Sequence, residues 1–89
     1  MVNFEIHFSI DGSEHTGVVH KIPPVENFPV QYLVFDIEPE IKNAPSFFVY
    51  NPQQQMFDFG GYNESIELPG KMMKAIKEYC TDHHIPLTQ

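Results

Sequence analysis

Along residues 3–10, apolar and polar side chains alternate without a break. Phe4, Ile6, Phe8 and Ile10 point one way and Asn3, Glu5, His7 and Ser9 the other. Side chains on a strand repeat with a period of two, so this pattern makes a half-buried strand with one wet face. Such a strand needs a neighbour, and Asp11-Gly12-Ser13 supplies the turn to reach it, because glycine accepts positive φ without a Cβ clash. A second strand then fills residues 14–22 and stops at Pro23-Pro24, which donate nothing to a ladder. A three-residue loop places Thr16, Val18 and Ile22 on the face of Phe4, Ile6 and Phe8, whereas a two-residue loop places His15, Gly17 and Val19 there. The first set is the greasier, so the three-residue loop is the expected register.

The connection 23–29 carries Val25 and Phe28, which are expected to fold back onto the core. In the third strand, residues 30–38, alternation fails: Val30, Tyr32 and Val34 are apolar on one face and Leu33, Phe35 and Ile37 on the other. Strands apolar on both faces are usually covered on both sides. Pro39 and Pro45 bound a loop, and residues 46–50 form a fourth strand, again apolar on both faces. Asn51-Pro52-Gln53-Gln54 reads as a turn with proline presetting φ. Residues 55–59 return as a fifth strand, with Phe57 and Phe59 on one face, and Gly60-Gly61 ends it.

A helix is expected over residues 69–83. Leu68, Met72, Met73, Ile76, Tyr79 and Cys80 recur at helical spacing, and Pro69 suits the first helical position. Glu64 and Glu67 near its start, and His83 and His84 near its end, complement the helix dipole. The expected class is therefore α+β: an antiparallel, meander-like sheet of four to five strands with one C-terminal helix packed on one face. The sequence does not fix the strand order. With 89 residues, no repeat and no linker, residues 1–89 are read as a single domain.

Composition narrows the function classes. Twelve acidic residues face five lysines, with no arginine, giving a net charge of −7. Phosphate backbones and anionic lipid surfaces are held by basic patches and guanidinium forks, so neither nucleic acid nor a membrane is the expected partner. One cysteine makes no internal disulfide, and the amino-terminal residues carry neither a basic region nor an apolar stretch, so the expected location is the cytoplasm.

Sheet geometry leaves something over. Five strands make a sheet roughly 20–24 Å wide, while a helix is about 10 Å across. The strands therefore carry more apolar surface than one helix can cover, and Val30, Tyr32, Val34, Phe48 and Tyr50 are the candidate interaction surface. The expected function is a non-enzymatic protein-interaction module that associates through a sheet face or an edge strand. Its partner is another protein or a second copy of the chain, as a homodimer. A sheet that curls and hides these residues itself is the plainer alternative.

The chemistry-bearing residues are sparse. In the expected register His7 and His15 meet across the first hairpin near Glu5, a pair that could hold a divalent metal, although metal sites usually need three or four ligands. A small-ligand or metal-binding domain using the sheet face or this pair is the second functional reading. A third, an acidic mimic of nucleic acid, predicts carboxylates spaced like phosphates. Cys80 lies on the apolar stripe of the helix, where cysteine acts as a small hydrophobe. Asp36, Glu38 and Glu40 read as a solvated acidic edge, and Lys71, Lys74 and Lys77 as the solvent face of the helix. Gly60-Gly61 lacks the lysine and hydroxyl of a phosphate loop. No enzyme activity and no cofactor are expected.

Overall fold

The computed structural model describes residues 2–53, 56–58 and 67–89. Five strands follow one another, β1 (Val2–Ile10), β2 (Ser13–Ile22), β3 (Gln31–Glu38), β4 (Phe47–Asn51) and β5 (Met56–Asp58), and then one helix, α1 (Glu67–Asp82). The sheet is an antiparallel meander in the order β1-β2-β3-β4-β5. This is the expected α+β architecture. Gln55, Phe59, Gly60-Gly61 and Glu64 lie outside the described residues.

The first hairpin departs from expectation. Ile10 pairs with Ser13, so the loop has two residues, Asp11 and Gly12, with φ of 52° and 80°. Positive φ at both central positions is the type I′ turn, whose twist matches that of the strands it joins. The two-residue loop pairs Phe4 with Val19, Ile6 with Gly17 and Phe8 with His15. The register is thus the one that puts His15, Gly17 and Val19 inside, and Thr16, Val18 and Ile22 lie on the other face.

That inner set packs well once its long-range partners are in place. Val19 is fully buried. Gly17 leaves room for its neighbours: a Cβ there would lie 3.3 Å from Val34 Cγ1 and 3.5 Å from Ile37 Cγ1. His15 stacks on Phe8 and donates from Nδ1 to the Pro39 carbonyl at 2.8 Å. Lys21 runs through the core and donates its ammonium to the Pro86 carbonyl.

A bulge then reverses parity in β3. Val18 pairs with Phe35 but Thr16 pairs with Glu38, leaving Asp36 and Ile37 opposite Gly17. Asp36 takes φ 52°, the left-handed geometry of a bulge residue. Val30, Tyr32 and Val34 accordingly face inward together with Ile37, which packs against the core.

The helix lies chiefly along β1 and buries Pro69, Met72, Met73, Ala75, Ile76 and Cys80, with Leu68 and Tyr79 half-buried at the margin. Its end is a Schellman motif. Ile85 N donates to Cys80 O at 2.8 Å and His84 N to Thr81 O at 3.3 Å, with His84 at φ 56°. The motif turns the chain back, so that Ile85 and Leu87 pack against the core. Tyr32 Oη then donates to the Leu87 carbonyl at 2.8 Å. On β4 and β5, Phe48, Tyr50 and Phe57 pack edge to face within the same core. Val25 and Phe28 pair with each other in a small turn and stay 61% and 62% exposed, rather than folding onto the core as expected.

Candidate functional site: the open face of the sheet

The residues expected to form an interaction surface lie on the inner face. Val30, Tyr32, Val34, Phe48 and Tyr50 range from 0% to 7% exposed, and all belong to the core. The correction is one of parity: the apolar side chains left over are the odd-numbered ones of β3 and β4.

Cross-strand pairing assembles the open face row by row. Glu5 lies beside Val18 and Val18 beside Phe35; Asn3, His20, Leu33 and Phe47 form the next row; Ile22, Gln31 and Val49 form the third. Six apolar side chains, Val18, Ile22, Leu33, Phe35, Phe47 and Val49, thus occupy the middle of three strands. Phe35 is 44% exposed and Phe47 40%, and the other four are half-buried by their neighbours. An aromatic side chain carries about 150–250 Å², so the six together offer on the order of 300 Å² of apolar surface. The helix α1 packs on the opposite, inner face.

One end of this face is acidic. His7, Thr16 and Glu38 make a row beyond Val18, and Ser9 and Glu14 another, joined by the Ser9 hydroxyl donating to Glu14 Oε1 at 2.7 Å. Glu5, Glu14 and Glu38 are exposed, and Glu5 lies 3.3 Å from His7 Nε2. No lysine occupies a strand position on this face. Lys21 is buried on the opposite side, Lys71, Lys74 and Lys77 lie on the helix, and Lys42 lies in the loop before β4.

The expected metal pair does not form. His7 is exposed on the open face while His15 is buried on the inner one, since the two-residue turn makes odd positions of β2 face inward. Among the described residues, no three His, Cys, Asp or Glu side chains converge as a metal would need. His20 Nδ1 donates to Asn3 Oδ1 at 2.5 Å across the hairpin. His83 stacks on Tyr79 at 3.9 Å and donates from Nδ1 to the Tyr79 carbonyl at 3.0 Å.

Beneath the C-terminal tail, Lys21, Tyr32 and Cys80 form a buried polar cluster that sequence periodicity did not reveal. Burial pulls the Lys21 ammonium below the ordinary lysine range, against the smaller opposing influence of Cys80. Burial pushes the Cys80 thiol up, with Lys21 and the Tyr32 hydroxyl working the other way. The Tyr32 phenol is also raised, first by burial and then by Cys80. A fully buried thiol held in its neutral form is a packing group and not an activated nucleophile. An open cleft of about 590 Å³ lies at the far end of the sheet between Phe28, Pro29, Tyr50, Pro52 and Thr88, with Glu26 its one charged lining residue.

No helix of the described residues is long and apolar enough to cross a membrane. No family model, no curated protein and no solved structure matches the chain, so its function is read from the geometry of this face.

Proposed function

We propose that the chain is a non-enzymatic protein-interaction module that docks through the open face of its sheet. The supporting observation is the contiguity of Val18, Leu33, Phe35, Phe47 and Val49 in adjacent rows over three strands, with both phenylalanines exposed. An apolar patch of about 300 Å² with a polar rim is the size at which such patches on single chains are often functional. Leaving them in water forfeits roughly 25 cal/mol for each Å² that a partner would cover.

The area also sets the kind of complex. A stable assembly covers about 800 Å² per partner, so an interface here takes in the polar rim as well, and its affinity belongs to the transient class.

Phe35→Lys and Phe47→Lys, made separately, test the reading. Each places an ammonium in the middle of the patch while its methylene stem still lies along the neighbouring side chains. A partner captured by the wild-type chain should bind each variant at least tenfold more weakly. In methyl NMR that purified partner should perturb Val18, Leu33 and Val49. Both variants should keep the wild-type spectrum away from the substitution. A partner whose footprint falls on α1, or one that both variants bind as well as wild type does, overturns the assignment.

A further inference from the structure

We infer that the partner of the open face is a basic amphipathic helix, an inference that rests on the docking role proposed above. Its first support is shape. The apolar patch is three strands wide, about 10 Å, and three rows long, about 14 Å. An α-helix is about 10 Å across and rises 5.4 Å per turn, so one apolar stripe of roughly three turns covers the six side chains. The same sheet already accepts an amphipathic helix on its inner face, where Met72, Met73, Ile76 and Cys80 cover strands of the same spacing. A helix on the open face would complete a three-layer arrangement in which these six side chains are dry as well.

The second support is charge. Glu5, Glu14 and Glu38 stand exposed at one end of the patch, and no lysine occupies a strand position on this face. A ligand with lysine or arginine at one end of its apolar stripe meets these carboxylates, and an acidic ligand is repelled by them. The same arrangement disfavours a second copy. A two-fold pairing of this face with itself sets no strand lysine opposite these three carboxylates, between molecules of net charge −7 each. Pairing with the lysine-bearing side of α1 from another copy would satisfy the charge but not the patch, because Lys71 and Lys74 are exposed there and the apolar stripe is buried.

Two synthetic peptides about four turns long, each with the same leucine stripe, provide the test. One carries lysine and the other glutamate on either side of the stripe. Each is titrated into the full chain and followed by NMR. The lysine peptide should shift the signals of Val18, Leu33, Phe35 and Phe47. It should also bind at least tenfold more tightly than the glutamate peptide, with an advantage that shrinks as salt screens the carboxylates. Glu5→Gln combined with Glu38→Gln should lower the affinity of the lysine peptide several-fold and leave that of the glutamate peptide unchanged.

Equal affinity of the two peptides at this face overturns the basic character of the partner and leaves the docking surface standing. Binding of neither peptide overturns the helical partner, and the Phe35→Lys and Phe47→Lys comparison then decides the fate of the surface separately. A sedimentation mass of two chains that returns to one in Phe35→Lys overturns the inference in favour of a second copy.

Discussion

Val18 and Val19 are adjacent, identical in type and on opposite faces, so replacing each by alanine measures which face is the core. Val19 is fully buried against the inner face, whereas Val18 lies half-buried between Glu5 and Phe35 on the open one. Valine to alanine removes two methylene equivalents, about 1.6 kcal/mol when the site is dry. The void left behind, on the order of 40 Å³, adds about 1 kcal/mol. Val19→Ala should therefore cost about 2.5 kcal/mol. Val18→Ala forgoes only part of the transfer term and opens no closed void, so it should cost about 0.5–1 kcal/mol. Both lose the same β-branch, and that contribution cancels in the comparison. The difference of roughly 1.5–2 kcal/mol corresponds to about 10 °C in thermal midpoint for a chain of this size. Urea unfolding followed by circular dichroism, with unchanged slope as the check on two-state behaviour, reads it directly. A Val18→Ala cost equal to or above that of Val19→Ala would refute the two-residue turn and with it the assignment of the open face.

Three further outcomes follow from the buried cluster. Lys21→Met removes an ammonium whose folded pKa lies below its unfolded value near 10.5. The wild type therefore gains stability as pH rises toward 10.5, while the variant lacks that gain; whatever advantage the variant holds at neutral pH should narrow over that interval in paired urea titrations. Tyr32→Phe deletes the hydroxyl that donates to the Leu87 carbonyl and should cost about 1 kcal/mol, with faster amide exchange in residues 85–89 as its local signature. Cys80 is fully buried and its thiol is held protonated, so a chromogenic disulfide reagent should label it only at the rate of unfolding; immediate labelling of the native chain would contradict the packing of the tail.

Much of the fold was legible because local patterns agreed with it. The alternation from Phe4 to Ile10 needed only the period of a strand, and Met72, Met73, Ile76 and Cys80 needed only the period of a helix. The hairpin register differs from the expected one, because turn chemistry outweighs side-chain grease in this loop. Thr16, Val18 and Ile22 look like a better inner row than His15, Gly17, Val19 and Lys21. Yet Asp-Gly is a sequence that a type I′ turn prefers, and the two-residue loop it makes fixes the β1–β2 register. The polar members of that row are accommodated by groups far away in sequence. Pro39 accepts from His15 and Pro86 from Lys21, which no local pattern shows.

The site was legible in the same partial way. The double-sided grease of β3 and β4 is plain in the sequence, but the sequence holds no local sign of which side the helix takes. The β1–β2, β2–β3 and β3–β4 registers together decide that, and they carry the even residues of β3 and β4 inward. Asp36 then moves Ile37 to the inner side by a bulge, so the apolar open-face positions of β3 are Leu33 and Phe35. The two-residue turn separates His7 from His15, and the β2–β3 and β3–β4 registers bury Val30, Tyr32, Val34, Phe48 and Tyr50.

Leu33, Phe35, Phe47 and Val49 lie on the open face, whereas Tyr32, Val34 and Phe48 are buried on the inner one. Relaxation of side-chain protons by a freely diffusing paramagnetic probe measures this residue by residue. Strong enhancement at the Phe35 and Phe47 rings, with none at Phe48 and Tyr32, is the predicted result. Enhancement at Phe48 and Tyr32, with Phe35 and Phe47 protected, would place the docking surface on the wrong side of the sheet.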